Sequence, residues 1–250
     1  MNLYTVIDKQ THKSLNLDKF QDQDINLLIQ FKGKEYDMLE EFPNINILVD
    51  SGAYAANGHG NTKTREQLIK HFDKYVEFIE KTKDDDRVIG YFDLDFVDQG
   101  LPFIKHLRRK LFDHSPKIIP VYHSIWGIPE YQQMCNLYDY ISVCNLDGIA
   151  RSGYLPLIKY AHQCGTKVHG LGVNDNRLLR QVPFDSVDSS VWISNAHWGY
   201  YGNKEIPKTT ENNKKWRGIY ERHSFIEELN RQNFFKEYWK SYFTMYRKPL

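Results

Sequence analysis

Short apolar runs alternate with amphipathic stretches along this chain, recurring about every 25 to 30 residues between positions 45 and 190. The runs fall at 4–7, 25–31, 45–49, 88–94, 117–122, 140–143, 167–171 and 184–187. Most are rich in Val, Ile and Tyr, the composition of strands buried on both faces of a parallel sheet. Between several of them lie helical periodicities. The clearest spans 64–81, where Leu68, Phe72, Tyr75, Val76 and Ile79 share one face. Thr64 is its cap, with Glu66 and Gln67 in the first turn. Weaker helices are expected over 100–112, 129–138 and 153–164, the last stopped by Gly165. This rhythm predicts an α/β fold with a parallel sheet.

A closed barrel and an open doubly wound sheet share that rhythm. Polar residues at almost every strand end favour the (β/α)8 TIM-type barrel, which gathers its chemistry at the carboxyl ends of its strands. The length of 250 residues suits one such barrel. No G-x-G-x-x-G or Walker loop supports a nucleotide-cofactor sheet, and Gly58-His59-Gly60 lacks the remaining spacing. Residues 1–205 are therefore expected to form the barrel. Residues 206–250 are expected to be a C-terminal helical extension packing on it, its apolar face built from Phe234, Phe235, Tyr238, Trp239, Tyr242 and Phe243. Residues 192–203 read as a long loop over the site, and 207–215 as an exposed polar segment.

The net charge of +1 does not advertise a polyanion partner, so nucleic-acid binding would need local basic patches such as 106–110 or 204–217. Cys135, Cys144 and Cys164 form no C-x-x-C pair, and zinc-ribbon spacing is absent. An odd cysteine count and a start without a signal peptide point to the cytoplasm. No run approaches the roughly 20 apolar residues of a membrane span.

Several strand ends carry ionisable residues. Asp50 ends the third run and is followed by Ser51-Gly52, where glycine permits a sharp turn and close approach of a ligand. Asp93 and Asp95 flank Leu94, and period-2 alternation places both on one side of a strand, at the barrel interior or mouth. Buried carboxylates there must be paired, hydrogen-bonded or used. His123 ends the fifth run and His169 sits in the seventh. Asp185 and Asp188 lie three apart among Ser186, Ser189 and Ser190, whose hydroxyls and backbone N–H groups could keep a carboxylate ionised and nucleophilic. His123, His169, Asp50 and Asp95 could also ligate a divalent metal, which makes a metal-dependent barrel hydrolase an alternative. Against it, H-E-x-x-H is absent.

In their order along the chain these motifs resemble the tRNA-guanine transglycosylase superfamily, most of all its compact DNA-acting relatives in phages and bacteria. Asp50-Ser51-Gly52-Ala53-Tyr54 resembles the family's D-S-G-[GA]-[FY], and Asp185-Ser186-Val187-Asp188-Ser189 resembles its D-x-F-D-[CS]. Tyr91 to Asp95, Pro120 to His123 and His169 to Gly172 fall between them in the family's order. The resemblance implies a (β/α)8 barrel that breaks the N-glycosidic bond of a nucleotide. It implies Asp188 as the nucleophile on C1′ of the sugar and Asp50 as the group handling protons on the base. Asp93 or Asp95 would read the base edge. A flipped base would stack on Tyr54, Tyr122 or Trp192. His123 and His169 stand where the tRNA enzymes carry other base-recognition residues, so the base need not be guanine. The family's C-x-C-x-x-C…His zinc site has no counterpart, since no cysteine follows Cys164.

The resemblance therefore implies DNA as partner, base exchange inserting a free 7-deazaguanine-type base, and no metal or cofactor. Hydrolytic excision of a modified base, as in anti-phage defence, is the alternative outcome of the same chemistry. The near-zero net charge leaves room for a partner protein or a homodimer to supply DNA binding.

Overall fold

A computed structural model describes residues 1–7, 24–39, 42–56, 63–144, 151–193, 200–201, 204–205 and 213–246. Its strands are β1 (Asn2–Val6), β2 (Ile25–Gln30), β3 (Ile45–Asp50), β4 (Val88–Phe92), β5 (Ile118–Ile119, continuing as Val121–Tyr122), β6 (Tyr140–Cys144), β7 (Lys167–Leu171) and β8 (Ser186–Ser189). All pair in parallel. β1 lies between β2 and β8, with Thr5 opposite Leu27 and Tyr4 opposite Asp188.

The ring closes through β5. Its first half pairs with β4 (Tyr91 opposite Ile118), and its second half pairs with β6 (Val121 opposite Ser142). Pro120 between the halves has no N–H to give a ladder. Its carbonyl still accepts the Ser142 N–H at 2.8 Å. The fold is thus the expected (β/α)-barrel, with C-terminal helices added.

The alternation of strand side chains sorts the core into an inside and an outside. Tyr4, Leu28, Leu48, Phe92, Ile119, Val121 and Cys144 fill the barrel, with Val6, Tyr140 and Leu171 packed against them. Their neighbours along the strands, such as Ile47, Val49, Tyr91, Ile141, Val143, Val168 and Val187, face the helices.

Those helices are α1 (Glu35–Met38), α2 (Ala53–Ala56), α3 (Arg65–Thr82), α4 (Leu101–Phe112), α5 (Gly127–Leu137), α6 (Arg151–Gln163), α7 (Asn176–Leu179), α8 (Asn213–Tyr238) and α9 (Lys240–Tyr246). α3 starts at a full capping box: Thr64 accepts from the Gln67 N–H, and the Gln67 side chain accepts from the Thr64 N–H. Its buried residues Leu68, His71, Phe72, Tyr75 and Ile79 follow helical spacing. Tyr75 donates its hydroxyl to the Phe92 carbonyl at 2.7 Å, tying the helix to the end of β4.

Two stretches differ from expectation. The long C-terminal helix begins at Asn213, inside the stretch expected to be exposed and polar, because its first turns are polar and hide the periodicity. It packs against β1, with Phe225, Leu229 and Phe235 buried and Gln232 donating to the Asp24 carbonyl at 2.9 Å. At the start of the expected 192–203 loop, Trp192 does not lie over the site. Trp192 is 2% exposed, donates its indole N–H to the Val6 carbonyl at 2.8 Å and packs edge-on against Phe225. Residues 194–199, 202–203 and 206–212 lie outside the described residues. Among the described residues no helix is long and apolar enough to cross a membrane.

Candidate active site

Asp188 belongs to the inward face of β8, and its carboxylate sits at the carboxyl-end mouth of the barrel. Its Oδ1 accepts two N–H donors: the Gly172 backbone at 2.6 Å and His169 Nε2 at 3.1 Å. Gly172 follows β7 with φ +70°, a left-handed turn that directs its amide at β8. Oδ2 has no hydrogen-bond partner among the described residues. One oxygen is therefore pinned, and the other is left without a partner among the described residues.

Asp50 ends β3 on the same inward face as Leu48, with Gln30 of β2 opposite it in register. Its Oδ1 accepts the Gly52 N–H at 2.9 Å across a turn in which Gly52 has φ +64°. Burial pushes its carboxyl up to about 6; the Gly52 hydrogen bond opposes this, and the negative charges of Asp95 and Asp188 add to it. The three carboxylates thus share the mouth.

The Asp50 turn is braced from behind. Lys32 Nζ donates to His71 Nδ1 at 2.7 Å, so His71 carries its proton on Nε2 and donates to the Ser51 carbonyl at 2.7 Å. Burial drives the His71 pKa down to about 4, keeping the ring neutral in this role. Ser51 Oγ in turn donates to the Asp93 carbonyl at 2.8 Å, linking the ends of β3 and β4.

Asp95 reaches the mouth and bonds His123 Nε2 at 2.7 Å. Burial raises its pKa, and the His123 hydrogen bond opposes that rise. Asp93 does not join it. Its side chain points outward between β4 and β5, 2.5 Å from Arg108 Nε of α4, and accepts the Val121 N–H at 2.9 Å. The expected shared side fails because the strand ends at Phe92, so alternation no longer applies to residues 93–95. Of the two candidates, Asp95 is the one at the mouth.

Three other residues expected to meet the base are buried instead. His169 is 0% exposed and lies beneath Asp188, its ring against Phe92 at 4.8 Å between centroids. It supports the carboxylate rather than lining an open pocket. Trp192 is buried in the outer core, as described, and offers no stacking face. Tyr122 is 1% exposed and packs on Tyr131 outside the barrel. Tyr54, on α2 just past the Asp50 turn, is 61% exposed. Asp185 points away from the site, held by His162 Nε2 at 2.9 Å and the Val168 N–H at 2.7 Å. Of the basic patch at 106–110, Arg108 is buried with Asp93, while Arg109 and Lys110 are exposed. Residues 206–212 of the patch at 204–217 lie outside the described residues.

Ser186 and Gly172 fall within motifs the sequence already singled out, and the structure gives each a specific partner in the site. Tyr140 carries no such signal and joins the site only through its contact with Ser186. Among the described residues, no group of three or more His, Cys, Asp and Glu side chains is arranged to hold a metal ion.

No family model and no curated protein matches the chain. Among solved structures, it is similar to an enolase protein from the environmental genome shotgun sequencing of the Sargasso Sea, at 10% identity and a TM-score of 0.47. That alignment covers 76% of this chain and 54% of the enolase, so the chain spans about half of that protein's length. A citrate lyase from Burkholderia xenovorans LB400 aligns at 10% identity and a TM-score of 0.43, covering 88% of this chain and 90% of the lyase.

Proposed function

We propose that the protein is an enzyme that cleaves the bond between a base and its sugar in DNA, with Asp188 as nucleophile. The observation that carries the reading is the contrast between two carboxylates at one mouth. Asp188 has Oδ1 bound by two N–H donors and Oδ2 without a partner among the described residues. Asp50 has its carboxyl pushed up to about 6, so it can hold and release a proton near neutral pH.

In the first step Asp188 Oδ2 attacks C1′, the C1′–N bond breaks, and Asp50 gives its proton to the departing base. The product is a glycosyl ester on Asp188. In the second step a free 7-deazaguanine-type base attacks C1′, its displaced proton returns to Asp50, and the Asp188 carboxylate is released. Dividing one displacement into two lowers each barrier. Asp95, oriented by His123, is the group for the hydrogen-bonding edge of the base. A base must leave its stack to reach the mouth. Water in place of the incoming base would make the same site a glycosylase.

The test is mass spectrometry of small molecules released from unmodified and hypermodified phage DNA, with and without added 7-deazaguanine bases. Release that needs the added base, with its incorporation into DNA, supports exchange. Release without it, leaving abasic sites, supports hydrolysis. Asp188→Ala should abolish both while the protein stays folded; normal turnover by that variant would exclude Asp188 as nucleophile.

A further inference from the structure

Behind Asp188 a chain of hydrogen bonds crosses the barrel interior. His169 Nε2 lies 3.1 Å from Asp188 Oδ1, and its Nδ1 lies 2.6 Å from Ser186 Oγ. Ser186 Oγ lies 2.5 Å from the Tyr140 hydroxyl. The members come from three adjacent strands, β6, β7 and β8, with His169 opposite Ser186 in register. Ser186 and Asp188 alternate on the inward face of β8, one below the other. The His169 ring is fully buried between Phe92, at 4.8 Å, and Tyr4, at 6.2 Å, so it has no room to swing to other partners.

We infer that Tyr140 and Ser186 are positioning residues that act through His169 to hold Asp188 with Oδ1 bound and Oδ2 presented to the mouth. The argument is one of donors and acceptors, and it rests on the reading that Asp188 reacts as a carboxylate. An ionised carboxylate only accepts hydrogen bonds, so His169 must carry its hydrogen on Nε2. A neutral imidazole then accepts at Nδ1, which requires the Ser186 hydroxyl to donate there. The Ser186 oxygen is left to accept, and the Tyr140 hydroxyl supplies its donor. Each hydroxyl fixes the direction of the next, and the last bond fixes the carboxylate. Without Ser186 the ring is free to place its hydrogen on Nδ1. It would then turn a lone pair on the Asp188 carboxylate in a buried site, where an unmatched polar group is costly.

The tautomer can be read directly, without substrate. Full-length protein labelled with 15N-histidine is studied by long-range proton–nitrogen correlation at pH 7, with His169→Gln identifying the His169 signals. The neutral Nε2–H form is expected. Ser186→Ala should lose that single tautomer, Ser186→Thr should retain it, and Tyr140→Phe should leave a mixture. On DNA, Ser186→Ala should lower kcat about tenfold with KM unchanged, and move the acid limb of the pH profile upward. Ser186→Thr should restore both. Thermal melting checks that each variant folds.

A His169 signal unchanged by Ser186→Ala, or both ring nitrogens protonated in the unsubstituted protein, would overturn the inference. A protein that turns over DNA normally as Asp188→Ala would instead overturn the nucleophile, and the tautomer result would still stand on its own. The two failures are therefore distinguishable.

Discussion

Asp93 and Asp95 are two residues apart, yet the structure gives them opposite duties, and replacing the partner of Asp93 tests that division. The Asp93 side chain is 0% exposed and that of Arg108 is 3% exposed. Burial works against the charge of Arg108, and Asp93 more than restores it, leaving the guanidinium above its ordinary pKa. Arg108→Met leaves a carboxylate buried with only the Val121 N–H as donor. Removing one member of a buried ion pair costs about 3–5 kcal/mol, because the other charge stays behind uncompensated. In a chain of this size that is a fall in melting temperature of about 6–20 °C. Asp93→Leu should cost a similar amount by stranding Arg108. The double variant should lose less than the sum of the two, since it strands neither charge. Circular dichroism melts at pH 7 read all three. Asp95→Asn should behave differently: the raised pKa of Asp95 means its charge is held against burial, so the amide should cost little stability and instead alter which base is accepted. A melting change of under about 1 kcal/mol in Arg108→Met would refute the structural assignment of Asp93. So would a change in base preference at unchanged stability in Asp93→Asn.

Two further outcomes follow from the site and its surroundings. Asp50 has its pKa raised from 3.8 to about 6, so the folded protein holds this proton more tightly than the unfolded chain. Its contribution to stability is full below 3.8 and is lost as pH rises through about 6. Asp50→Asn should flatten that decline and raise stability at pH 7 while slowing base release. Urea unfolding across pH 4–8 reads it, and a decline equally steep in the variant would show that Asp50 is not its source. Trp192→Ala should cost about 3–5 kcal/mol through lost packing on Phe225 and leave DNA affinity of the folded fraction unchanged. Loss of affinity without loss of stability would restore Trp192 to the binding surface.

The rhythm of strands and helices was legible because buried parallel strands and amphipathic helices write their periods into the sequence. Ring closure was less so, since it turns on β5 being split at Pro120, with one half serving each neighbour. The start of α8 was missed because 213–220 carries too few apolar residues to show a period. At the site, Asp50 and Asp188 were readable because each lies within a regular strand, where inward and outward positions alternate. Asp93, Asp95 and Trp192 lie beyond strand ends, where alternation carries no information and tertiary contacts decide direction.

The same boundary explains which residues the fold devotes to the candidate chemistry. Positions inside regular strand are fixed by a ladder on both sides, and they supply the supports: His169 and Ser186 under Asp188, Leu48 below Asp50. Positions just past the ladder are freer, and they supply the adjustable parts: Gly172 N–H on Asp188, Gly52 N–H on Asp50, and His123 with Asp95. A site of this kind gets its rigidity from the barrel and its specificity from the loops. Substitutions at His169 or Ser186 should therefore change how well Asp188 is held. Substitutions at Asp95 or His123 should change which base it meets.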